Sequence, residues 1–134
     1  MMEFSGINYL AVGAALIASM IIGAIWYGVF GKPWMAAIGM EGDPPKQEPS
    51  LYFIAIIAQA IMAWMLAGII GHLGMMSIKG GLITALFCWL GFIVTSITVN
   101  HRFQGADWKL TFINCGHWLA VLLVQGAIIG AFGV

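Results

Sequence analysis

The chain has 134 residues, of which 62% are hydrophobic and 7% charged, with five basic and five acidic side chains in balance. A soluble domain carries roughly 25% charged residues, so this composition excludes a water-soluble fold, which could not cover so much apolar surface. Zero net charge without a basic cluster also excludes a nucleic-acid-binding class.

Crossing a hydrocarbon core of ~30 Å takes about 20 mostly apolar helical residues. Four segments reach that length, at 8–30, 50–72, 78–100 and 108–132. None alternates apolar and polar residues as barrel strands do. The expectation is an all-α protein, one domain over 1–134, built as an integral membrane bundle of four transmembrane helices.

Taken in chain order, the start holds Glu3 and no Lys or Arg before Tyr9, and the apolar run that follows is too long for a signal peptide. It reads as a retained first span. Gly31 and Pro33 are expected to stop that span, because proline cannot continue the backbone hydrogen-bond ladder. Residues 31–49 hold all four prolines and half of the charged side chains, and read as a polar loop with one short interfacial turn around 34–40. Ser50 and Asp107 read as N-caps of the second and fourth helices, and Gly74 as the turn between the second and third.

Lys32, Lys46, Arg102 and Lys109 flank the first and third loops, and Lys79 alone lies on the opposite side. The positive-inside rule therefore puts loops 31–49 and 101–107 in the cytoplasm and both termini outside. Trp26, Tyr27, Trp34, Tyr52 and Trp108 form an aromatic belt on the loop-one side. Cys88 and Cys115 fall at depths of ~18 and ~9 Å from that side by helical rise, too far apart for a disulfide.

Small residues at every fourth position mark helix contact faces in lipid. The first helix offers Ala11, Ala15, Ser19 and Gly23, then Tyr27. The second offers Ala55, Gln59, Ala63, Ala67 and Gly71, and the fourth ends in the GxxxG of Gly126 and Gly130. These faces serve packing within the bundle or contact with another chain. Gly13 and Gly23 repeat the spacing of Gly81 and Gly91, and Ala67–Gly71 resembles Gly126–Gly130, a pattern that two related helical hairpins would produce.

Polar side chains deep in a bilayer are costly and face the bundle interior. Asn114, His117 and Gln125 share one face of the fourth helix, and Gln59 lies at nearly the depth of His117, ~12 Å from the loop side. These four are expected to form an interior polar layer. It either fixes helix register through neutral hydrogen bonds or holds a ligand, with His117 as the candidate imidazole for haem, pigment or a proton relay. At the loop-one face Trp34, Asn100, Arg102, Asp107 and Lys109 gather, with Arg102 and Asp107 expected to pair across the turn. That group reads as capping and headgroup anchoring, or as a docking or headgroup-binding surface.

Catalytic and metal constellations are missing from the sequence. Cys115 and His117 sit ~200° apart around a helix and cannot share a simple site. No HExxH, GxSxG or intramembrane carboxylate pair occurs. The expectation is therefore a non-enzymatic protein without cofactor or metal.

Several local runs resemble a bacterial membrane family, domain of unknown function 1761. They are Asn8-Tyr9, Gly23-Ala24-Ile25-Trp26-Tyr27, Phe30-Gly31-Lys32-Pro33-Trp34-Met35, Trp89-Leu90-Gly91-Phe92, Asn100, Ile113-Asn114, Gly116 and Gly126. The resemblance spans nearly the whole chain and implies a four-helix membrane protein without an assigned activity. Two functional expectations follow. The first is a component of the bacterial inner membrane that contacts lipids and either self-associates or joins other membrane subunits. The second is a small transporter or channel that uses Gln59, Asn114, His117 and Gln125.

Overall fold

The computed structural model describes residues 6–42 and 48–133. The chain is all-helical there, with four helices long and apolar enough to cross a membrane. They comprise α1 (Tyr9–Ala37), α2 (Pro49–His72), a third span Ile78–Gln104 in three parts, and α5 (Trp108–Phe132). The third span runs as α3 (Ile78–Cys88), a π-helical turn (Trp89–Val94) and α4 (Thr95–Gln104).

Local chemistry sets the ends. Asn8 caps α1 by accepting from the amides of Leu10 and Ala11, Ser77 caps α3 from Gly80, and Asp107 caps α5 from Lys109. Each satisfies amides that have no partner inside the helix. Gly74 and Gly105 turn the chain at φ of +69° and +70°, where a side chain would be strained.

Two expected boundaries need correction. Gly31 and Pro33 do not stop α1, which continues to Ala37 with Pro33 inside it. A proline removes one ladder bond, whereas unwinding the last turn would leave several backbone groups unsatisfied near the bilayer. Met35, buried in that extension, holds it down. The loop thus begins after residue 37 rather than 31. Ser50 does not cap α2 either: Glu48 holds the cap position and Pro49 starts the helix, where its missing N–H costs nothing. Glu3, Asp43, Pro44, Pro45 and Lys46 lie outside the described residues.

Helix α5 is the axis of the bundle. It packs extensively on α1 and on α3, and also touches α2, the π-turn and α4. Most of the small-residue positions are used in this packing, while Gly71 is exposed and Ala55 half-buried. Ala11, Ala15, Ala63, Ala67, Ala85, Leu66, Ile70, Leu122 and Ile129 form one buried cluster. A Cβ on Gly81 would fall on the carbonyl of Gly126, one on Gly126 would fall on that of Gly81, and one on Gly130 would strike the backbone of Ser77. The fourth-helix GxxxG is therefore an intramolecular contact with α3.

The glycines matched by spacing do not play matched parts. Gly81 meets α5 backbone while Gly13 meets nothing within 4 Å, and Gly23 faces His117 while Gly91 is open. With α5 central and α2 peripheral, the two hairpins are not packed as equivalents.

Spans two and three pair near the Gly74 turn and then part. Helix α2 touches α3 but neither the π-turn nor α4. Residues 51–58 are exposed apart from Ala55, which is half-buried, and the third span buries nothing from Trp89 onward. The result is a lateral notch between α2 and the later third span. At its base lies an apolar crevice of about 190 Å³ lined by Met62, Leu66, Ile69, Cys88, Phe92 and Leu122, among others.

Candidate functional site

The polar side chains of α5 face α1, but they do not form one layer with Gln59. Gln125, fully buried, donates from Nε2 to Ser19 Oγ at 2.8 Å and, more weakly, to the Gln59 backbone carbonyl at 3.4 Å. Ser19 in turn donates to the Ala15 carbonyl at 2.7 Å, so the hydroxyl both accepts and donates. Gln59 is thus level with Gln125, eight residues along α5 from His117, or ~12 Å. The depth estimate missed this because counting rise from a shared loop edge assumes parallel, unstaggered helices.

The second polar group lies nearer the loop-one side. Tyr27 donates its hydroxyl to Asn114 Oδ1 at 2.8 Å. The His117 ring, 4% exposed, sits 5.0 Å from the Tyr27 ring and 4.6 Å from the Trp118 ring. Gly23 makes room for it: a Cβ there would stand 3.3 Å from His117 Nε2. The imidazole is enclosed by aromatic rings and helix backbone, which leaves no flat space on it for a macrocycle. Among the described residues its Nδ1 meets no hydrogen-bond partner, nor do Oε1 of Gln59, Oε1 of Gln125 or the Thr84 hydroxyl.

Two tryptophans pin α5 from opposite neighbours. Trp26 on α1 donates its indole N–H to the Ile113 carbonyl at 3.0 Å, and Trp89, at the start of the π-turn, donates to the Cys115 carbonyl at 2.7 Å. Both carbonyls belong to α5, two residues apart. Gly116 admits the Trp26 ring, since a Cβ there would stand 2.7 Å from it. Sequence reasoning had Trp26 in an aromatic belt and Trp89 only in a family-like run, and no spacing signal exposes an indole-to-backbone bond. The two cysteines are free thiols.

At the loop-one face the expected cluster is rearranged. Arg102 does not pair with Asp107. Its Nη2 donates to the Thr111 hydroxyl at 2.8 Å and the Ala106 carbonyl at 3.1 Å, and its guanidinium lies 3.6 Å over the Trp108 ring. The Asp107 carboxylate is taken up by the Lys109 amide at 2.8 Å, because a capping residue's side chain turns toward its own helix. His101 Nδ1 also bonds the Thr111 hydroxyl, at 2.7 Å. Asn100, Asp107 and Lys109 are exposed, and Trp34 stands edge-on to Tyr27 at 6.1 Å. His101, Trp108 and Thr111 are the members that the sequence reading left out.

Across residues 10–130 the chain matches the family model described as a protein of unknown function (DUF1761). It belongs to that family. No curated protein and no solved structure matches this DUF1761 chain. Among its described residues no group of three or more His, Cys, Asp or Glu could hold a metal ion.

Proposed function

We propose that this multi-pass DUF1761 protein is a non-enzymatic component of the bacterial inner membrane that works by association, as a self-associating bundle or as an accessory subunit of a larger complex. The observation that carries this reading is the lateral notch. The early turns of α2 and the third span from Trp89 to Gln104 bury no side chain within the chain, Gln59 marking where burial begins on α2. Gly91 and Thr95, one turn apart on the third span, are exposed, and small residues at that spacing suit a close helix contact. In the orientation favoured by the basic residues, with termini outside and the first and third loops cytoplasmic, the notch opens in the cytoplasmic half of the bilayer.

The test is gentle extraction followed by size analysis of wild type and Gly91→Leu. A side chain at Gly91 meets nothing within the chain, so the variant is expected to fold normally and to lose its partner or second copy. A wild type that is always monomeric and brings nothing with it would overturn the reading.

The second reading, a small transporter or channel, has in its favour the amide oxygens of Gln59 and Gln125, which meet no partner among the described residues. Against it, Gln125 and Ser19 bond each other in a closed contact. If cysteines placed at 59, 114, 117 and 125 resist polar thiol reagents from both sides of the membrane, the pathway idea fails.

A further inference from the structure

Arg102 is held more firmly than an interfacial anchor requires. The Trp108 ring lies against one face of the guanidinium, and Nη2 is fixed by Ala106 and Thr111. Its Nε and Nη1 are shielded by the protein and meet no acceptor among the described residues. A shielded guanidinium N–H without an acceptor is costly. Asp107, the acid nearest in sequence, is engaged by the Lys109 amide, and the Thr111 hydroxyl already serves both Arg102 and His101. Among these neighbours the acceptor is not supplied.

The place narrows the chemistry of the missing acceptor. Arg102 lies two residues from the end of a 27-residue span, ~40 Å long at helical rise, which carries it past a hydrocarbon core of ~30 Å to the level of lipid phosphates. A planar guanidinium with free donors suits a phosphate oxyanion, and Lys109 adds a second cation at the start of α5. Trp108, 52% exposed, lies against one face of the guanidinium.

We propose that Arg102, on its Trp108 platform, binds the phosphate of an anionic phospholipid headgroup, with Lys109 beside it. The aromatic ring and the Thr111 hydroxyl pre-orient the guanidinium, so little side-chain freedom is lost on binding. The ligand is a lipid rather than free phosphate because the site lies at the membrane boundary beside exposed Trp108 and Phe112, which stack with ring centres 6.0 Å apart and offer an apolar flank to the lipid.

The test uses the full chain, purified in neutral detergent, with thermal unfolding followed by circular dichroism. Short-chain phosphatidylglycerol, short-chain phosphatidylcholine and inorganic phosphate are titrated separately. Phosphatidylglycerol is expected to raise the melting temperature saturably, with the other two giving far smaller shifts. Arg102→Lys keeps the charge and loses the planar donors, so it should need about tenfold more phosphatidylglycerol for half-saturation. Arg102→Gln should lose the response, and Lys109→Gln should weaken it by less than either. Should Arg102→Gln fail to fold, the Arg102→Lys titration decides. Equal protection by phosphatidylcholine or by inorganic phosphate overturns the proposal, as does an undiminished response in Arg102→Lys.

Discussion

Gly81 and Gly126 approach backbone to backbone, the carbonyl of each lying in the space that a Cβ on the other would need. This contact fixes α3 against α5 and sets their separation.

Alanine at either position should therefore force the helices apart. Overpacking of this kind costs about 1–3 kcal/mol and occasionally more. Gly28→Ala, on an exposed face with nothing within 4 Å, should be neutral or stabilise by up to about 1 kcal/mol. Reversible unfolding in mixed micelles measures the difference, and equal stability of Gly126→Ala and Gly28→Ala would contradict the contact.

Gln125 and Ser19 are coupled through a single buried hydrogen bond. A double-mutant cycle of Ser19→Ala and Gln125→Leu should return a coupling of about 0.6 kcal/mol, and no more than about 1.7, the range for polar contacts between membrane helices. A vanishing coupling would mean that the two side chains do not meet.

The indoles of Trp26 and Trp89 hold neighbouring carbonyls of α5 from α1 and from the third span. Phenylalanine at each site keeps most of the packing and removes the donor, so each change should cost about 1 kcal/mol. Because the two rings come from different helices, the double variant should cost close to the sum.

His117 gives the sharpest contrast between a packing residue and a ligand. With its ring enclosed and Nδ1 unpartnered, leucine should be tolerated within about 1 kcal/mol, since an apolar group replaces an unsatisfied polar one. Glutamine should be no better than leucine. Wild type and His117→Gln purified from a haem-replete host should both lack a visible absorption band; a band lost only in the variant would restore the ligand reading.

The four spans were legible because each is a long apolar run, and lipid leaves the helix as the available form for such runs. The polar face of α5 was legible for a similar reason: the spacing of Asn114, His117 and Gln125 is helical. Their partners on α1, Ser19, Gly23 and Tyr27, lie on the stripe that small-residue spacing had marked. What stayed hidden was stagger between helices, which moved Gln59 to the level of Gln125. The end of α1 was misread because proline's cost was weighed without the cost of exposing the backbone it would free. The Arg102 cluster was half legible: charge put Arg102 near Asp107, but capping geometry turned the carboxylate away.

The π-turn works as a phase adjuster. Twelve positions separate Trp89 from His101, about 120° of rotation on an uninterrupted α-helix at ~100° per residue. A π-helical segment behaves like one inserted residue, which reduces the offset to about 20°. Trp89 reaches Cys115 and His101 reaches Thr111 from nearly one line along the third span, and so both grip the same helix. Winding this segment as regular α-helix at unchanged length would restore the offset of about 120° and swing the His101–Arg102 end about 100° around the axis. The hydrogen bond to Thr111 would then be lost while the Gly81–Gly126 contact on the other side of the turn stayed in place.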